Sequence, residues 1–140
     1  MKRNIIGALM TLIVAASMAV PVVQAQQTIL TATVPFAFNI GDKQLPAGAY
    51  EVRELDRATL IQSRDGEHSV LGIYAYAGAS KADETKLVFN KVGDHYFLAQ
   101  IWTSARGQGL AVPESKVEKE LRASNSGPQG GVETVIVALR

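Results

Sequence analysis

The chain has 140 residues, with 14 basic and 13 acidic side chains, 47% hydrophobic residues and no cysteine. The absence of thiols excludes thiol catalysis, iron–sulfur ligation, cysteine zinc sites and lipid attachment at an N-terminal cysteine. With so even a charge balance there is no basic patch to neutralise a phosphate backbone, so nucleic acid is not an expected partner.

Lys2 and Arg3 precede an uncharged apolar run at residues 5–19, and Val23-Gln24-Ala25 follows Pro21. A basic start, an apolar stretch of about 15 residues and small residues before the cut are the parts of a secretory signal. They predict cleavage between Ala25 and Gln26 and an exported protein, periplasmic or extracellular. An uncleaved anchor is the alternative, because residues 5–23 approach the roughly 17 to 25 residues of a spanning helix; Pro21 and the small-residue site favour removal. Cleavage leaves 12 basic against 13 acidic residues. Residues 26–140 then form a single β-rich domain, long enough to bury about two-thirds of its unfolded-chain surface without disulfides. No stable membrane insertion is expected once the signal is gone.

In residues 28–40, Ala32, Val34, Phe36, Phe38 and Ile40 alternate with Thr31, Thr33, Pro35, Ala37 and Asn39. Period two predicts one half-buried strand, with an edge or bulge at Pro35, which cannot donate to a ladder. Gly41-Asp42-Lys43 reads as a tight turn. Gln44-Leu45-Pro46-Ala47-Gly48 leads into a strand at residues 49–55, with Gly48 expected at positive φ. Arg64-Asp65-Gly66-Glu67, between residues 59–63 and 69–76, predicts a hairpin. Residues 77–84 are small and polar, and read as a surface loop.

Residues 86–102, KLVFNKVGDHYFLAQIW, hold four of the nine aromatic residues, including the single tryptophan, so a core must be built against them. A hairpin turning at Gly93-Asp94 predicts Phe89 opposite Leu98, Leu87 opposite Gln100 and Val88 opposite Ala99. One face carries Phe89, Tyr96, Leu98 and Trp102. The other carries Val88, Val92, Phe97, Ala99 and Ile101, so both need cover. Residues 103–109 read as a glycine-bearing loop. A helix follows with Pro113 at its first position, Glu114 near its positive end and Arg122 in its last turn. Val117 and Leu121 form its apolar stripe, leaving Lys116, Glu118, Lys119 and Glu120 to water. Residues 125–131 form a linker, and residues 132–139 a β-branched strand expected to pair with an early strand. The fold class is therefore mainly β: a small antiparallel β-barrel or barrel-like sandwich of six to eight strands with one short helix near the C-terminus. A membrane barrel is disfavoured, because several strands fall short of the roughly 9 to 11 residues that cross lipid.

Chemistry-bearing residues are few. His68 and His95 each sit by a turn with an acidic neighbour, Glu67 and Asp94, but their spacing matches no metal motif. Ser63, Ser69, Ser80, Ser104 and Ser115 lack a nucleophile context, and Gly107-Gln108-Gly109 lacks the rest of a dinucleotide loop. Glu51 with Glu54, or Asp65 with Glu67, could pair as carboxylates only within a cleft. Tyr74, Tyr76, Tyr96 and Trp102 could make an aromatic platform, though aromatics at period two on strands are more often core.

Residues 34–52, VPFAFNIGDKQLPAGAYEV, together with the 86–102 hairpin and the following PESKVEKEL, resemble a family of small uncharacterised exported bacterial proteins. Its pattern is V-P-F-x-F, L-P-A-G-x-Y and G-D-x-Y-F-L, with a later Trp and a Glu/Lys-rich helix. The resemblance implies an exported β-rich domain and assigns no catalytic residue; residues 132–140 lie outside it. The expected function is a non-enzymatic exported binding or envelope interaction protein, without cofactor or metal. The alternative is a small hydrolase or metal-dependent enzyme using the turn histidines His68 or His95 near Asp65 or Asp94. Trp102 and His95 are the candidate contacts for an envelope protein or a small apolar or sugar ligand.

Overall fold

The computed structural model describes residues 28–79, 84–104, 107–127 and 131–140. The expected signal, its Ala25-Gln26 cleavage point and parts of the two expected loops and of the linker lie outside them. Two sheets are present. The first has the order β1 (Ile29–Val34), β4 (Gly48–Glu54), β5 (Thr59–Ser63) and β6 (Ser69–Gly72), all antiparallel. The second runs β11 (Glu133–Ala138), β8 (Lys86–Val92), β9 (His95–Thr103), β10 (Gln108–Ala111) and β7 (Ala75–Ala79). The hairpin of β2 (Phe38–Ile40) and β3 (Lys43–Leu45) joins it through a parallel contact of Asn39 with Phe97.

The architecture is a barrel-like sandwich, mainly β, with one short helix near the C-terminus. Among the described residues the strand count rises from the expected six to eight to eleven, because two apolar runs break and two short segments pair. Residues 28–40 do not form one strand: Pro35 ends β1, and the chain crosses to the other sheet before β2. Residues 69–76 divide likewise between β6 and β7. Residues 77–79 pair in β7 rather than forming a loop, and Gln108 and Gly109 pair in β10. Gly48 opens β4 opposite Val34 and is not among the positive-φ glycines.

The expected alternation built the core. Ala32, Val34, Phe38 and Ile40 are buried with Leu45, Tyr50, Val52, Ile61, Leu87, Phe89, Leu98 and Ile101. Phe38 meets Tyr50 and Phe89 edge-on, with ring centroids 5.1 and 5.2 Å apart. Burying one such side chain contributes about 1.5 to 3 kcal/mol, to which edge-on pairing adds about 0.5 to 1.5. The Tyr50 hydroxyl donates to the Pro46 carbonyl at 2.5 Å, so the turn before β4 is tied to the strand it feeds. Burial, and secondarily the charge of Asp65, pushes the Tyr50 phenol above its ordinary range.

The central hairpin turns at Gly93, φ 60°, as expected, and Phe89 faces Leu98. Beyond that pair the register differs: Val88 faces Gln100 and Leu87 faces Ile101. Ala99 is left over as a bulge, and its carbonyl accepts from the Val112 amide at 2.8 Å. One extra residue exchanges the faces of everything after it. Ile101 therefore enters the core, fully buried, and Trp102 turns outward, the reverse of the expected assignment.

Ser115, not Pro113, begins the helix α1 (Lys116–Ser124): its hydroxyl caps the end, accepting from the Glu118 amide at 3.1 Å. The expected exposure is also exchanged. Glu118 is buried and Val117 is half exposed. The Glu118 carboxylate accepts from the Asn90 amide on β8 at 3.1 Å and meets Arg122 at 3.4 Å. Burial raises its pKa above the usual carboxylate range, the Asn90 bond opposing the shift.

Strand β11 pairs along its length with β8 rather than with an early strand. Just past it, Arg140 and Thr31 exchange both backbone hydrogen bonds, at 2.7 and 2.9 Å. This single residue pair joins the outer strand of one sheet to the outer strand of the other. On the β6 side the sheets are joined by the chain itself, through Ile73 and Tyr74 between β6 and β7, and by the Lys43 ammonium of β3, which donates to the Ser69 carbonyl of β6 at 2.6 Å.

Candidate binding surface

The predicted site residues do not converge. His68 precedes β6 in the first sheet and His95 opens β9 in the second, and no group of three or more His, Cys, Asp or Glu able to hold a metal occurs among the described residues. The Asp65 carboxylate is engaged in its own turn. It accepts from the Ser63 hydroxyl and from the Glu67 amide at 2.9 Å, and these bonds, the first above all, lower its pKa. Ser63 in turn accepts from the His68 amide at 3.0 Å. Glu51 and Glu54 point to opposite faces of β4: Glu51 pairs with Arg53 at 2.7 Å outside, while Glu54 accepts from the buried Thr103 hydroxyl and ties the sheets together inside.

The four candidate platform aromatics are likewise dispersed. Tyr96 stacks on Phe36, with centroids 3.8 Å apart. Trp102 lies across Gly109 on β10, donates to Gln100 at 2.9 Å and carries the Lys86 ammonium 5.8 Å from its ring centre. Tyr76 is exposed on β7. Tyr74 folds back onto β6, so close that a Cβ on Gly72 would stand 2.3 Å from its ring.

That last contact shapes the surface. Of the seven large apolar side chains most exposed among the described residues, three fall between β6 and β7: Leu71 at 63%, Ile73 at 79% and Tyr76 at 63%. Beside them a groove of about 370 Å³ runs between β6, the β2–β3 turn and the chain entering α1, with Ile40, Val70, Tyr74, Val112 and Pro113 in its walls. The Tyr74 hydroxyl is buried there without a partner among the described residues, and burial raises its pKa. A phenol held out of water and left unpaired costs about 1 to 3 kcal/mol. A second groove, about 480 Å³, follows the β1–β11 seam and is walled by Thr31, Thr33 and Arg140 as well as apolar residues.

Neither Trp102 nor His95 lines either groove. The signal for this corner was present in the sequence. In residues 69–76, SVLGIYAY, apolar side chains occupy both alternating sets, more than an edge strand with one wet face requires. Comparison with protein-family models, with curated proteins and with solved structures finds no match.

Proposed function

We propose that this chain is an exported binding or envelope interaction protein without catalytic activity, and that it makes contact through the β6–β7 corner. The observation that carries the reading is the exposure of Leu71, Ile73 and Tyr76 within one six-residue stretch, with Leu71 itself lining a largely apolar groove. Large exposed apolar groups scattered singly need no explanation, but a cluster of them at a groove marks a contact site. The uncharged leader after Lys2 and Arg3 supports export. The dispersal of the histidines, serines and carboxylates over separate faces supports binding over catalysis, which requires reactive groups to converge.

A photo-crosslinking residue placed at Ile73, with others at Val117 on α1 and Ile136 on β11 as controls, tests this in the exporting cell. The expected result is a discrete adduct from position 73 that disappears when Leu71→Ser is added. Equal adducts from all three positions, or none from position 73, refute it.

A further inference from the structure

Glu118 is the one fully buried side chain of α1; Leu121 and Arg122 beside it are half-buried. The helix lies along β8. Its start is held there by the Asn90 amide, which donates to Glu118 at 3.1 Å, and its end reaches the hairpin turn, where the Asn125 side-chain amide would stand 3.6 Å from a Cβ on Gly93. Beneath it is a second, smaller apolar layer. Asn90 shares the outer face of the second sheet with Val88 and Val92, by alternation along β8, and with Phe97, its partner across the ladder. Val88, Val92 and Phe97 are buried, yet they stand apart from the main core, to which no residue of α1 belongs. Ile136, opposite Val88 on β11 and on the same face, is 59% exposed. A helix that covers an apolar layer ordinarily does so with an apolar stripe. This one sets a carboxyl group at the centre of the contact.

The positive charge around that group is already committed. The Arg122 guanidinium serves two acids: Glu114 holds it on one side, and Glu118 meets it at 3.4 Å on the other. Among the other charges of the helix, Lys116 is paired with Glu120, and both, like Lys119, are exposed. From the sheet, the groups on this face are Asn90 and, opposite it, Thr134 of β11, neither of which titrates, and His95 opposite Val92 at the turn. Lys91 lies on the other face by alternation, with Glu133 and the Tyr96 ring. With Glu118 protonated, the guanidinium balances Glu114 alone. Once Glu118 ionises, one cation must answer two carboxylates, one of them held out of water.

We propose that α1 is a pH-operated cover: with Glu118 protonated it is docked on β8, and when Glu118 ionises it lifts, uncovering Val88, Val92 and Phe97 next to the already exposed Ile136. The sign follows from linkage. Burial above all raises the pKa of the docked Glu118; the Asn90 bond opposes the shift, the Glu114 charge adds to it and Arg122 opposes it. In the lifted helix the group returns to water and to its ordinary range. Docking is therefore fully favoured below the ordinary carboxylate pKa and weakens as pH rises through the docked value, by about tenfold in the docking equilibrium for each pKa unit between the two. Because the main core is built without α1, the lift is a local opening and the sandwich stays folded.

Two NMR readings on the unaltered protein test this between about pH 4 and 8: the carboxyl carbon shift of Glu118, and amide protection along α1 corrected for the intrinsic pH dependence of exchange. The expected result is titration of Glu118 above the ordinary carboxylate range, with a fall of about tenfold or more in α1 protection over the same interval while β4 and β9 keep theirs. A dye that lights up on exposed apolar surface should brighten in step. In Glu118→Gln, which keeps the acceptor for Asn90 and cannot ionise, the fall should vanish; in His95→Gln it should persist. Because the first two readings need no variant, a misfolded substitution does not leave the inference untested. Titration of Glu118 within or below the ordinary range, α1 protection that does not change with pH, or protection lost from α1, β4 and β9 together overturns it. So does a fall that survives Glu118→Gln or disappears in His95→Gln.

Discussion

Replacing Gly109 by alanine tests how the outward face of the second sheet is built. A Cβ at this position would lie 2.8 Å from three ring atoms of Trp102, against the roughly 3.5 to 4.0 Å of ordinary carbon contact. The ring must therefore retreat by about 1 Å, forfeiting a quarter to a half of the attraction it makes there. Overpacking of this kind costs about 1 to 3 kcal/mol, and removing glycine from a strand returns about 0.5 to 1. The net expectation is a loss of about 1 to 2 kcal/mol, or a fall of roughly 5 to 10 °C in Tm for a domain of this size. Trp102 is the only tryptophan, so its fluorescence reports the displacement directly. The variant should emit at longer wavelength in the folded state and unfold earlier in urea. Gly127→Ala, where an added Cβ meets nothing within 4 Å, is the control. An unchanged emission maximum together with equal or greater stability would show that the ring does not rest on Gly109.

Deleting Ala99 should straighten β9 while keeping Gln100 opposite Val88, Ile101 opposite Leu87 in the core and Trp102 on the outer face, so the loss is confined to the Val112 bond and a cooperative melt is retained; loss of the cooperative unfolding transition and of near-ultraviolet dichroism would argue against the bulge. Ser115→Ala removes the cap of α1 and should cost about 1 kcal/mol in urea unfolding; a loss below a few tenths would mean that the cap is redundant. Glu118→Gln keeps the acceptor for Asn90 but cannot ionise. Because burial raises the folded pKa of Glu118, its contribution is fully present below the ordinary carboxylate pKa and is lost as pH rises through the folded value. The glutamine variant should therefore gain on the wild type between acid and neutral pH in a urea series, and a pH-independent difference would sink the assignment.

The legibility of the chain follows the range of the forces involved. The turns at Asp65-Gly66 and Gly93-Asp94 are local, set by backbone conformations that glycine adopts at φ 79° and 60°, and both hairpins could be read from the sequence. So could the buried face of β1 and β2, because Ala32, Val34, Phe38 and Ile40 keep period two across Pro35. The bulge at Ala99 is different. The Val112 amide that bonds its carbonyl arrives from beyond the next turn, and no neighbour of Ala99 in sequence announces it. Glu118 shows a second kind of gap. A charge in a helix faces water by default, and only the partners on β8 and at Arg122 make its burial tolerable; the Ser115-x-x-Glu118 spacing is the local signal that the reading from Pro113 passed over. The exposed corner at Leu71 and Ile73 is a third case: both alternating sets of residues 69–76 are apolar, but only the sheet order shows that the sheet ends at β6 and leaves these side chains in water. Residues of the motifs singled out in the sequence mostly hold the fold. Leu45 and Tyr50 are buried, and Gly93 makes a turn, so these motifs point to architecture and not to an exposed surface.

The joining of the sheets has a mechanical consequence. Along β1 and β4 six residue pairs share a load applied along the strands, whereas the main-chain bonds across the β1–β11 seam are, among the described residues, those between Thr31 and Arg140. Their bonds lie across the seam and would break one after another, as a zip opens, instead of together. On the other side the covalent link through Ile73 and Tyr74 cannot part at all. The sandwich under strain therefore gives first at the seam, while the Glu54–Thr103 bond and the chain crossing between the sheets at residues 35–37 limit how far it opens.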